Sequence, residues 1–321
     1  MTDPRTDRSL PSRRDVLKGA AAAVAALALP GRRLAALDRG ASLLGAHPRD
    51  ADRERLAAWT AALRAEGLAR RDAPLGREAA RVGELTIGSP YVPYTLEAYL
   101  RAGGSPRRTE PLTLSLTRFD CVSLVESCLA VARAAAADAH GSSSWARFGR
   151  EVERMRYRGG VRRGYASRLH YFSEWIADGE RRGLVHDLGA ELGGVDDARP
   201  LRFMTEHRGS YPALADAKVF GEIAAMERRL DGHARHLVPA ERIAAVSDRI
   251  ETGDVLAFAT AIPGLDVTHS ALAYRDASGV LRVLHAPLSG GAVEVSRAPL
   301  PEYVSAIRHA TGILVARPLR G

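Results

Sequence analysis

The apolar pattern of this chain changes period part-way along, and that change limits what it can fold into. Before about residue 250 the apolar positions mostly recur at helical spacing, and from Gly253 they alternate in the manner of strands. Helices are expected at Asp52–Leu68, Arg77–Leu85, Cys121–Ala136, Trp145–Met155, from Leu169 onward and at Glu222–Leu230. An early strand is expected at Leu112–Leu116. Strands are then expected at Asp254–Thr260, Thr268–Tyr274, Val280–His285, Ala292–Val295 and Gly312–Ala316, as a meander with a short helix near Leu300–His309. Helices first and antiparallel strands later make an α+β domain. Residues 87–94, 101–108 and 159–167 read as loops, and 141–144 as a turn.

The first 35 residues stand apart. Ser12-Arg13-Arg14-Asp15-Val16-Leu17-Lys18 resembles the twin-arginine export motif, and a weakly apolar, alanine-rich run follows from Gly19 to Leu29. That run is too short for a bilayer span, which needs about 20 residues, and fits the layout of a signal peptide. Ala26-Leu27-Ala28 is a candidate cleavage site. Residues 36–50 read as linker, and 51–321 as one catalytic domain with a helical and loop insertion around 145–250. The expected location is periplasmic or extracytoplasmic, with no stable membrane span after signal removal. Net charge is +8, carried by arginine apart from Lys18 and Lys218, and residues 1–33 supply half of it. No basic stripe interleaved with aromatics is present, so nucleic-acid binding is not indicated.

Cys121 lies where Leu116-Thr117-Arg118-Phe119-Asp120 gives way to a helical pattern. Unpaired N–H groups and the helix dipole favour an anion there, which should lower the thiol pKa. Far downstream, Thr268-His269-Ser270 and Val283-Leu284-His285 place one histidine in each of two consecutive strands. Alternation puts His269, Ala271 and Ala273 on one face, and the two alanines leave room for the Cys121 helix. A thiol with imidazoles on a neighbouring sheet makes a cysteine nucleophile site: His269 takes the proton and His285 orients it. Cys128, two turns on, is about 10 Å from Cys121, too far for a disulfide, and reads as a core residue.

Other candidates are weaker. His233 and His236 are three apart, but Gly232 interrupts the helix and no cysteine joins them, so neither metal nor cofactor is implied. Arg168 and His170 flank an aromatic run and could line a cleft or simply pack. Glu126 reads as a solvated or capping residue. Asp120 reads as the helix N-cap, and also as a carboxylate at the cleft mouth, where it could pair with a substrate amine.

Asp120-Cys121 opening a helix, with His269 and then Leu284-His285-Ala286 in successive strands, is similar to the NlpC-type cell-wall cysteine peptidases. More of the chain resembles the N-acetylmuramoyl-L-alanine amidase-like branch, through Ile87-Gly88-Ser89-Pro90-Tyr91-Val92, Glu110 to Glu126, Ser167 to Ile176 and Asp266-Val267-Thr268-His269. The resemblance covers roughly residues 75–317. It implies a papain-like fold, Cys121 as nucleophile, His269 as base and His285 as orienting residue, with Asp120 and the Tyr91 loop at the substrate cleft. Arg168 lies in one of the matching stretches and is the further candidate for substrate binding. One departure is Pro287-Leu288 after His285-Ala286, where small polar residues are usual. The implied activity is cleavage of peptidoglycan or its muropeptides at the muramoyl–L-alanine amide through a thioester. A γ-D-glutamyl stem-peptide cut by the same triad and a non-catalytic envelope-binding module are the alternatives.

Overall fold

The computed structural model describes residues 50–70, 73–137, 144–288 and 291–321; the export segment, most of the linker and most of the expected 141–144 turn lie outside them. Helices of more than one turn are α1 (Asp50–Ala65), α2 (Leu75–Thr86), α3 (Cys121–Ala137), α4 (Trp145–Arg156), α5 (Phe172–Arg181), α6 (Ala217–Arg229) and α7 (Leu300–Ala306). The strands are β1 (Val185–Asp187), β2 (Val195–Asp197), β3 (Arg235–Pro239), β4 (Val255–Thr260), β5 (Val267–Arg275), β6 (Leu281–His285), β7 (Glu294–Val295) and β8 (Ala310–Pro318). Three of them fall within 145–250.

The sheet has the order β2-β3-β8-β4-β5-β6-β7, with β1 also paired to β8, and every pairing is antiparallel. The fold is therefore α+β around an antiparallel sheet. Strands β4 to β7 form the expected meander, but β8 does not extend it. It crosses back to the far side of β4, where it pairs with β4 and β3.

The expected strand at Leu112–Leu116 is not one. Its backbone groups go to side chains: Leu116 N–H donates to Asp52 at 2.7 Å, Leu116 C=O accepts from Arg55 at 2.9 Å, and Thr113 C=O accepts from Arg156 at 2.6 Å. These backbone groups are satisfied by side chains of α1 and α4 in place of a sheet partner.

Two cores flank the sheet. α3 is largely apolar, as suits a helix enclosed by other elements, and Leu124, Val125, Cys128, Leu129, Val131 and Ala132 are wholly buried. Its core includes residues of α1, α2 and α4, with Val255, Ala257, Leu272, Leu284 and Leu314 from the sheet. The opposite face packs Leu256, Phe258, Ala271, Ala273, Val283 and Val315 with Leu300 and Val304 of α7. Ala271 and Ala273 thus face α7's core and not the Cys121 helix, contrary to expectation: alternation fixes which residues share a face but not which core each face meets. Gly253 shows how closely the helical layer approaches the sheet. Its φ is +91°, and a Cβ there would meet the carbonyl oxygen of Gly76 in α2 at 1.9 Å.

Candidate active site

Cys121 is the first residue of α3, and Asp120 is its N-cap. The Asp120 carboxylate accepts from Ser123 N–H at 2.7 Å, while Ser123 Oγ accepts from Asp120 N–H at 2.9 Å. This reciprocal cap uses one of the free donors of the first turn. Asp120, Cys121 and Val122 line a cavity of about 230 Å³.

The strand residues reach that cavity through a bulge. Phe258 of β4 faces His269, but Ala259 faces Val267, so Thr268 is an extra residue beside the histidine. Bulges of this kind re-aim a neighbouring side chain. His269 stacks on Phe258, ring centres 5.7 Å apart, and its Nε2 lies 2.9 Å from His285 Nδ1. The hairpin register sets His285 opposite Ala271, so the imidazole pair is diagonal. Tyr303 of α7 closes the far side, its hydroxyl 3.3 Å from the same Nδ1. His285 Nε2 is buried without a hydrogen bond among the described residues, 3.9 Å from a Glu294 carboxylate oxygen.

The pull of the helix end on the thiol pKa is outweighed. Burial, then the Asp120 charge, pushes Cys121 up to about 11, and the backbone of Ser270 and Val122 offsets only part of this. Burial is the main cause, and the cap adds to it: the helix brings a positive end, and its own N-cap brings a negative charge beside it. Burial lowers His269 to about 4 and, with His269 alongside, lowers His285 to about 3. At neutral pH the free protein therefore holds a neutral thiol and two neutral imidazoles. Cys128 is wholly buried in the core, and burial pushes its thiol far up.

The expected substrate-side residues line the same cavity. Tyr91 is held by a backbone bond from its N–H to Gly291 C=O and by a bridge to Phe119, and burial raises its hydroxyl pKa, with Cys121 and Asp120 adding to the effect. Tyr94 lines the cavity with left-handed backbone, φ 59°, a strained conformation for a bulky residue. Arg168 is buried between two carboxylates, 2.7 Å from Glu97 and 3.3 Å from Glu110, and over the Tyr165 ring. Burial alone would lower its pKa, but Glu110 and Glu97 hold it well above the usual value. His170 packs at a tilt against the Tyr165 ring, and burial keeps it neutral.

Glu126 is not solvated: it is 1% exposed and takes Arg156 Nε at 2.7 Å, and both line the cavity. Asp266 ties α5 to β5, accepting from Ser173 N–H at 2.8 Å and Val267 N–H at 2.7 Å. Arg156, Glu97, Glu294 and Tyr303 escaped the sequence reading because their partners are 18 to 71 positions away or, for Glu294, on the neighbouring strand. His233 lies in a turn and His236 on β3, paired with Asp196 at 2.9 Å, so they share no helical face.

Residues 81–313 match the family described as AmiA-like, N-acetylmuramoyl-L-alanine amidase-like. The chain belongs to the N-acetylmuramoyl-L-alanine amidase-like family. An N-acetylmuramoyl-L-alanine amidase from Bacteroides uniformis is 30% identical to this amidase-like chain, covering 76% of it and 98% of the other, with a TM-score of 0.68. A Bacteroides fragilis protein described as a candidate xylanase is 31% identical over 74% of this chain and 99% of its own, TM-score 0.63. A Legionella pneumophila protein, 16% identical, shares the fold over 83% of this chain and 94% of its own, TM-score 0.60. No curated protein matches. Residues 11–30 match the twin-arginine translocation signal, so this family member is exported by that route. Among the described residues no helix is long and apolar enough to cross a membrane.

Proposed function

We propose that this family member is an exported cysteine hydrolase with an NlpC-type, papain-like catalytic domain over residues 51–321. It cuts the amide between the lactyl group of N-acetylmuramic acid and L-alanine in peptidoglycan or muropeptides. The observation that carries the reading is the convergence, in one cavity, of Cys121 at a helix start and His269 beside a bulge, with His285 hydrogen-bonded to His269 from behind.

The tautomers follow from the contacts. For His269 to act as base at Nδ1, its Nε2–H must donate to His285 Nδ1, which leaves the proton of His285 on Nε2, on the side of Glu294. His285 then fixes the base by accepting, and Tyr303 bounds the ring. Because thiol and imidazole are both neutral at rest, the proton moves from Sγ to His269 as sulfur bonds to the carbonyl carbon. The oxyanion faces the free N–H groups of the first turn of α3, a contribution of about 3 kcal/mol per donor in measured cases. Collapse breaks the C–N bond, and His269 returns the proton to the leaving L-alanyl nitrogen. Water, deprotonated by His269, then attacks the thioester and frees the lactyl acid and the thiol. Asp120, Tyr91 and Arg168 bind the substrate around this centre.

The test is mass spectrometry of muropeptides incubated with the mature protein and with Cys121→Ala. Free stem peptide beginning with L-alanine, absent with the variant, is expected. Cleavage after D-glutamate would move the cut to the stem peptide, and no cleavage would favour a binding module.

A further inference from the structure

A second cavity, of about 530 Å³, lies between the 158–167 loop and α6. Its wall is shared with the candidate active site. Tyr165 and Arg168 line the first cavity, while Gly164, Ala166 and Ser167, in the same segment, line the second. Its charge is one-sided. Arg107 and Arg158 are paired, with Asp216 at 2.6 Å and Glu174 at 2.6 Å, and Lys218 is only 4.0 Å from Glu222, the sole acidic lining residue. Arg163 and Arg229 are exposed and make no ion pair among the described residues. Two unpaired guanidiniums and a loosely held ammonium around a groove of this size suit a ligand with several carboxylates or phosphates.

We propose that this groove binds the acidic peptide arm of the substrate, its carboxylates meeting Arg163, Arg229 and Lys218 once the reacting amide occupies the first cavity. This rests on the function proposed above. The shared segment is the reason: residues 164–168 border both cavities, so a peptide arm leaving the first around that segment would meet the groove.

Calorimetry on Cys121→Ala protein tests it, with a muropeptide bearing free stem carboxylates, the same muropeptide with those carboxylates amidated, and inorganic pyrophosphate. Arg163→Ala/Arg229→Ala should bind the acidic muropeptide about five- to tenfold more weakly and the amidated one unchanged. Its melting temperature should not move, since neither arginine holds a structural partner. Equal losses for both muropeptides, or none, overturn the proposal. If pyrophosphate binding depends on the two arginines and muropeptide binding does not, the groove takes a free phosphate and the peptide arm is excluded. If no muropeptide binds even with the arginines intact, the function proposed above has failed and this proposal falls with it. Lys218→Ala is a second variant and should reproduce part of the loss.

Discussion

Asp120 stabilises α3 and opposes the thiolate, and two substitutions separate these effects. Asp120→Asn keeps a side-chain oxygen for Ser123 N–H but removes the charge; Asp120→Ala removes both. A unit charge on the adjoining residue, through an effective dielectric between about 20 and 80, acts with roughly 1–2 kcal/mol, on the order of one pKa unit. The alkylation rate of Cys121 by iodoacetamide, followed against pH, should therefore give a midpoint near 11 in the parent and about one unit lower in Asp120→Asn. Cys128 is wholly buried and should not react in the native state. Loss of the cap in Asp120→Ala should cost about 1 kcal/mol, or about 2–4 °C in melting temperature for a domain of this size, while Asp120→Asn stays near the parent. A parent midpoint near neutrality would refute the argument that burial outweighs the helix end. An unchanged midpoint in Asp120→Asn would refute the role given to the carboxylate.

Tyr303→Phe removes the hydroxyl 3.3 Å from His285 Nδ1 and keeps the ring, so kcat should fall about two- to tenfold with KM steady in muropeptide turnover. Arg156→Met leaves the Glu126 carboxylate buried and uncompensated, and denaturant unfolding should show a loss of about 3–5 kcal/mol, largely recovered in Arg156→Met/Glu126→Gln. His269 and His285 have folded pKa values of about 4 and 3, below their ordinary 6.5, so below pH 6.5 the unfolded chain binds more protons and stability is lost as pH falls. Between pH 7 and 5.5 the two should cost about 2–3 kcal/mol, with His170 acting in the same direction. A double His269→Gln/His285→Gln variant with the same acid sensitivity as the parent would contradict this.

What could be read from the sequence was local. The boundaries of α3 follow from an apolar run with Asp120 as its cap, and the β5–β6 hairpin follows from alternation around the 276–279 turn, which is why the two histidines came out adjacent. Pairing that spans the chain was not legible. Nothing in Ala310–Pro318 says that it inserts beside β4, and nothing in Leu112–Leu116 says that Asp52, Arg55 and Arg156 satisfy its backbone. Ionisation failed for the same reason. The helix end is a sequence-level feature, whereas the burial that overrides it at Cys121 comes from residues far along the chain that line the same cavity, Tyr91 and His269 among them.

The position of β8 bears on how the chain is made. The strand that joins β3 to β4 is translated some 50 residues after β4. At roughly 5–20 residues per second, β4 waits on the order of several seconds with one edge unpaired. An open edge of that kind can recruit another chain. Folding cannot proceed domain-first from the N-terminus here: the scaffold that aligns Cys121 with His269 closes only after the 310–318 segment emerges from the ribosome. Nascent chains stalled before that point should expose an aggregation-prone edge, and those stalled after it should not.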